Sequence, residues 1–106
     1  MNPSEYCMIM STCPKHADAD RLAGLLLEAR LAACVQVMPI TSYYEWESEQ
    51  HKAPELLMLI KARSEQYDAI EALIVKNHPY EVPEIIRLPI QGGLSDYLAW
   101  IDEMSR

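Results

Sequence analysis

Apolar residues along this chain alternate between two spacings. Tyr6-Cys7-Met8-Ile9-Met10 is a short apolar run closed by the turn-forming stretch Ser11-Thr12-Cys13-Pro14, which predicts a buried strand. Ala19, Leu22, Leu26, Ala29 and Ala33 then recur at steps of three and four, with Asp20, Arg21, Glu28 and Arg30 largely on the other side. That is one stripe of an amphipathic helix, and Asp18 stands where it would cap the first turn. Residues Cys34 to Trp46 are β-branched and aromatic with Pro39 inside, the signature of a long, bent edge strand. Polar residues Glu47 to Lys52 predict a hairpin tip, and Glu55-Leu56-Leu57-Met58-Leu59-Ile60-Lys61 the return strand.

Helical spacing returns after Ser64, a candidate cap, with Tyr67, Ile70, Leu73, Ile74 and Asn77 on the inward face. A strand over Glu84–Ile90, the Gln91-Gly92-Gly93 turn and a helix capped by Ser95 complete the pattern. This last helix is expected to turn Tyr97, Trp100, Ile101 and Met104 to one side. The order β-α-β-β-α-β plus a C-terminal helix predicts an α+β fold. Specifically, it predicts a ferredoxin-like two-layer sandwich with both main helices on one face of an antiparallel sheet. No repeat or linker divides the chain, so residues 1–106 are expected to form one domain.

The alternation fails in the two strands expected at the middle. An antiparallel sheet with helices on one face meets water on the other, so its strands should switch between apolar and polar. Instead Tyr6, Met8 and Met10 oppose Cys7 and Ile9, and Leu57 and Leu59 oppose Leu56, Met58 and Ile60. Each such side chain left bare forgoes roughly 1.5–3 kcal/mol, and exposed apolar patches of that size mark interfaces. Another subunit is expected to cover this face.

Charge and cysteine usage narrow the setting. A net charge of −7 lacks the basic face that a phosphate backbone requires, so no nucleic-acid partner is expected. The longest apolar run is too short to span a bilayer, and no membrane partner is expected. Met1-Asn2-Pro3-Ser4-Glu5 has neither the basic nor the apolar region of a secretory leader. Three cysteines, an odd number without a C-x-x-C pair, argue against a disulfide framework. Together these predict a reducing, cytoplasmic location.

Candidate chemistry concentrates in His78-Pro79-Tyr80-Glu81-Val82-Pro83-Glu84. Pro79 ends the preceding helix by about His78, and Pro83 suits the start of a strand or a sheet edge. The two prolines make a stiff corner that brings His78, Tyr80, Glu81 and Glu84 into one small region. His78 is a candidate metal ligand or acid–base group, and equally a residue that packs the helix end. Cys34 is a candidate soft ligand, although a free cysteine among small apolar residues also serves as a buried hydrophobe. Cys7, Met8, Met10 and Cys13 resemble a copper(I) cluster in composition, but strand alternation sends the methionines and cysteines to opposite faces. His16 and His51 stand alone, and no ligand spacing specifies zinc. Lys61, closing an apolar central strand, must snorkel or pair with Glu55, Glu81 or Glu84 at a subunit junction. Tyr43, Tyr44, Trp46 and Trp100 suit an aromatic pocket between protomers or the packing of an interface. No phosphate loop or nucleophile elbow is present, and no carboxylate pair stands at a telling spacing. The expectation is therefore a protein that is not an enzyme.

Several of these stretches together resemble the CutA family of divalent-cation-tolerance proteins. They are Leu31-Ala32-Ala33-Cys34-Val35, Tyr44-x-Trp46, Glu55 with Ile60-Lys61, the 78–84 corner and Tyr97-Leu98-x-Trp100-Ile101, spread over Thr12 to Ile101. The resemblance implies a tight homotrimer with sheet edges pairing around a central axis, similar in fold to the PII signalling trimers. It also implies a part in tolerance to copper and other divalent metals, with no obligatory cofactor and Cu(II) or another divalent cation as the bound species. His78 and Cys34 are the metal-ligand candidates. Tyr44, Trp46, Lys61, Tyr80, Glu81, Glu84 and Trp100 are the cleft candidates. The alternative is a PII-like sensor or scaffold that binds a small ligand or partner protein between subunits. A third role, His78 and Glu81 as acid and base, requires the two groups to converge on a substrate. Two positions depart from the family pattern. Ser48 stands where a glycine is common after the tryptophan, and Ser11 where some members carry a cysteine before the threonine of the Thr-x-Pro turn.

Overall fold

Tyr6–Cys13 forms β1 and His16–Glu28 forms α1; Cys34–Trp46 and Glu49–Arg63 form β2 and β3. A 3-10 turn at Ser64–Gln66 leads into α2, Tyr67–Asn77, followed by β4, Ile85–Pro89, and α3, Ser95–Met104. These elements come from a computed structural model that describes residues 5–106. Residues 1–4, on which the absence of a leader was partly read, lie outside the described residues. The strands make one antiparallel sheet in the order β2-β3-β1-β4, as the element order predicts.

Alternation along the central strands sorts their side chains into two layers. Cys7, Ile9 and Cys13 of β1 and Leu56, Met58, Ile60 and Ala62 of β3 share one face. There they meet Ala19, Leu22 and Leu26 of α1 and Ile70 and Ile74 of α2, all buried. This is the main core. On the reverse face α3 covers only one end of the sheet, where Tyr6 and Ala33 pack with Leu98 and Ile101. The Tyr6 hydroxyl donates to Asp102 on that helix. Arg63 Nε lies 3.3 Å from Asp102 Oδ1, near enough for charge attraction though out of line for a hydrogen bond. Ser105 Oγ accepts the Arg63 amide at 3.0 Å and donates to the Leu31 carbonyl at 2.8 Å.

The remainder of the reverse face carries Met8, Met10, Leu57 and Leu59, all half-buried, with Met38, Ile86 and Leu88 exposed beside them. The predicted apolar excess therefore exists and is uncovered in the single chain.

Several local expectations are corrected. β1 runs through Ser11-Thr12-Cys13 instead of turning there, because these residues pair with Met58, Leu57 and Leu56. Ser11 is fully buried, with no hydrogen-bond partner for its hydroxyl among the described residues. The first helix stops at Glu28, short of Ala33, because Arg30 adopts φ 58. Arg30 and Leu31 amides bond back to the Leu27 and Leu26 carbonyls, a Schellman ending built without glycine. Asp18 lies inside the first turn rather than capping it, and makes an ion pair with Arg21 at 3.0 Å. Ser64 and Ser95 likewise make no capping bond; Gln66 and Leu94 occupy those cap positions. On α3 Tyr97 and Trp100 pack together on one side as expected, but the buried residues are Ile101 and Leu98, the latter outside the expected set.

The hairpin tip is only Glu47-Ser48, with φ of 51 and 65, and Glu49–Lys52 already belong to β3. β2 pairs with β3 residue for residue from Cys34↔Lys61 to Trp46↔Glu49, so Pro39 introduces no bulge. β1 reaches only to Leu56 along β3. Beyond that point residues 40–46 and 49–55 form a two-stranded arm, which tolerates Pro54 because β3 has no second neighbour there.

Candidate functional site

Two groups of the expected residues assemble, at different places. The larger lies between the arm and the proline corner, where an open cleft of about 730 Å³ has formed. Tyr44, Trp46 and Glu55 line it from the arm; Tyr80, Glu81 and Glu84 line it from the corner. The arm supplies its residues in register. Tyr44 pairs with His51 and Trp46 with Glu49, and the Tyr44 and His51 rings stack at 5.4 Å. The corner is fixed by the histidine. His78 Nε2–H donates to the Thr12 carbonyl at 2.7 Å, and Nδ1 accepts the Tyr80 amide at 3.0 Å. In this tautomer both ring nitrogens are engaged, so the imidazole ties the corner to the end of β1.

The corner then aims Tyr80 across the cleft. Its hydroxyl donates to Glu55 Oε2 at 3.0 Å. Burial and that carboxylate push the phenol up to about 12, so it remains a neutral donor through the physiological range. Glu81 and Glu84 are exposed at the other rim. Among the described residues the cleft lining contains three carboxylates and four aromatic side chains, and no lysine, arginine or histidine.

The second group sits on the reverse face beside α3. Lys61 was expected to pair with Glu55, Glu81 or Glu84; it donates instead to Gln36 Oε1 at 2.8 Å and lies 5.5 Å from the Tyr97 ring centre. The reason is register, since Gln36 pairs with Leu59, one step along the same face from Lys61. Trp100 packs on Tyr97 at 5.6 Å and takes no part in the cleft. Cys34 is the cross-strand partner of Lys61 and half-buried.

Cys34 and His78 are not brought together. Cys34 lies opposite Lys61, whereas His78 anchors to Thr12, which lies opposite Leu57. Four residues of strand separate those points, about 13 Å at 3.3 Å per residue. Among the described residues no three histidine, cysteine or acidic side chains stand close enough to hold one ion. The candidate ligands therefore do not fit a chelate within the single chain. Cys7 and Cys13 are buried, and burial raises both thiols above their usual range. Such thiols are poor nucleophiles and ligands.

The sequence reading missed Thr12, whose carbonyl holds His78, and Gln36, which takes Lys61. Glu55 was read as a partner for Lys61 and proves to be the partner of Tyr80. Each contact joins residues at least 25 positions apart, and only the strand register discloses it.

Comparison with known proteins agrees with the site's motifs. Residues 7–104 match the family model of the CutA1 divalent ion tolerance protein. The divalent-cation tolerance protein CutA of Pectobacterium atrosepticum is 43% identical over 100 residues, covering 93% of this chain and 91% of its own. Among solved structures, CutA1 from the psychrotrophic bacterium Shewanella sp. SIB1 superposes with a TM-score of 0.93 at 44% identity, covering 99% of this chain and 98% of its own. A protein described as the periplasmic divalent cation tolerance protein CutA from Archaeoglobus fulgidus gives a TM-score of 0.93 at 39% identity, covering 95% and 99%. Fold, motif order and near-complete coverage on both sides agree, and the chain belongs to the CutA family of divalent-ion tolerance proteins.

Proposed function

We propose that the protein acts as a homotrimer in tolerance to divalent metals, copper among them, and holds such ions weakly rather than as a resident cofactor. The observation that carries this reading is the family match across residues 7–104. Two features support it. The net charge of −7 concentrates cations near the surface. The scattered ligand candidates favour weak, shared coordination over a tight site. The uncovered face of Met8, Met10, Leu57 and Leu59 is what the other subunits would bury. Free thiols at Cys7, Cys13 and Cys34 suit a cytoplasmic setting. The role is binding rather than catalysis, because His78 is committed to the corner and does not face the cleft.

Equilibrium dialysis against Cu(II) tests the metal reading. Saturable, weak binding that Cys34→Ser reduces supports it; His78→Ala, at a ring whose two nitrogens are already engaged, should leave it unchanged, and no saturable binding at all rejects the reading. Light scattering tests the assembly, and about 36 kDa is expected, three times the 12.1 kDa chain.

A second reading has its own support: a PII-like trimer that binds a small ligand in a cleft. The observation favouring it is the open cavity of about 730 Å³ between arm and corner, within the size range of small-molecule sites. A thermal-shift screen with nucleotides and organic acids and amines checks it, and a uniformly flat response counts against it.

A further inference from the structure

We infer that the cleft between the arm and the proline corner is a receptor for a small organic cation, an ammonium group carried on an apolar body. This rests on the second reading above, that the cleft binds a small molecule, and adds the ligand's chemical class.

Three observations lead there. Glu55, Glu81 and Glu84 line the cleft while, among the described residues, no cationic side chain does (Lys52 lies over the Tyr43 ring at 5.8 Å), so an anionic ligand would meet a net excess of like charge. The walls between those carboxylates are ring faces from Tyr44, Trp46 and Tyr80, which attract a cation through their quadrupoles and give an apolar body something to lie against. In the single chain Trp46 is 64% exposed and Tyr44 48% exposed with one ring face against His51, so the indole and the other phenol face are not spent on the core. Lastly, the acids are dispersed. Among the described residues no three ligating groups converge on one point, so a bare ion finds no chelate there. A larger cation with spread charge needs no such convergence. It needs flanking carboxylates and flat apolar walls, and a volume of about 730 Å³ admits it.

Tyr80 adds orientation. Its hydroxyl is already donated to Glu55, which holds that carboxylate at the cleft wall with lone pairs left to accept N–H donors. A primary or secondary amine can therefore bond to Glu55 while its apolar part lies along the indole.

Phenethylamine, protonated at neutral pH, is a suitable probe, with phenethyl alcohol as its neutral isostere and inorganic phosphate as an anion. The chain has two tryptophans, so Trp100→Phe leaves Trp46 as the sole indole reporter. Titrating the full-length Trp100→Phe protein by NMR should shift the Trp46 indole N–H saturably with phenethylamine, and at least tenfold more weakly with the alcohol. Glu81→Gln combined with Glu84→Gln should weaken amine binding about tenfold. Both residues are exposed, so the fold should survive, which circular dichroism checks. Glu103→Gln, an exposed acid on α3, controls for general charge and should leave binding unchanged.

Equal binding of amine and alcohol, or preferential binding of phosphate, would overturn the cation assignment while leaving the cleft a ligand site. An equal loss from Glu103→Gln would overturn it as well, reducing the effect to bulk charge. No saturable shift with any probe would overturn both the inference and the small-ligand reading beneath it.

Discussion

His78 shows how one side chain sets a site without entering it. Its two nitrogens close a bridge from the Thr12 carbonyl to the Tyr80 amide, and Tyr80 then reaches Glu55. Replacing it with alanine removes two hydrogen bonds at a half-buried position and leaves the carbonyl and the amide without partners. A net loss of about 2 kcal/mol is expected, read from urea unfolding. The phenols give a pH signature. Tyr6 and Tyr80 both have folded values of about 12 against an ordinary 10, the first chiefly through its bond to Asp102, the second through burial and Glu55. The native state therefore holds these protons more tightly than the unfolded chain. Their contribution is intact below pH 10 and is lost as pH rises toward 12. Stability measured against pH should fall across that window, and Tyr6→Phe with Tyr80→Phe should flatten the fall.

At the scale of elements, the failures of the sequence reading share a cause. Elements with a sustained helical period or a β-branched and aromatic run were legible: β2 begins at Cys34 and ends at Trp46 as expected, and α2 ends at Asn77 before the proline corner. The end of α1 was not legible, because Arg30 takes the left-handed conformation that a glycine would have announced. Glu49–Lys52 read as loop because Glu-Gln-His-Lys is polar throughout, and only its pairing with Tyr43–Trp46 makes it strand. Ser48 belongs to the same class. With Glu47 and Ser48 both at positive φ, the tip has the conformation of a type I′ turn, for which glycine is favoured at the second position. The departure from the family pattern thus leaves a tight turn in place at a conformational cost. Ser48→Gly should stabilise the protein by about 1 kcal/mol, and Arg30→Gly by a similar amount, since each relieves a left-handed backbone. Thermal unfolding of the two variants checks this.

For the molecule as a whole, the reverse face governs behaviour. α3 shelters Tyr6 and Ala33 but leaves Met8, Met10, Leu57 and Leu59 half-covered, an excess visible in the sequence as two central strands lacking alternation. What covers them was not legible, because strand patterning reports that a face is apolar without naming its partner. If other copies bury it, Leu59→Glu should yield a species near 12 kDa by light scattering with its circular dichroism retained. It should also lower the melting temperature and make the wild-type melting temperature alone rise with protein concentration. A Leu59→Glu protein that stayed at the wild-type mass would refute self-association through this face.

The two-stranded arm carries a consequence of its own. Amides of residues 40–46 and 49–55 bond only across one ladder, with no third strand behind them and little apolar cover. On a solitary subunit such a ribbon would open readily and trade its hydrogens with solvent within the fastest class of the chain. Clasped against a neighbour, the same amides would turn slow. If copies of the chain associate over the hairpin, it becomes a built-in clock for how long they stay together, and deuterium uptake there would read that lifetime without a label.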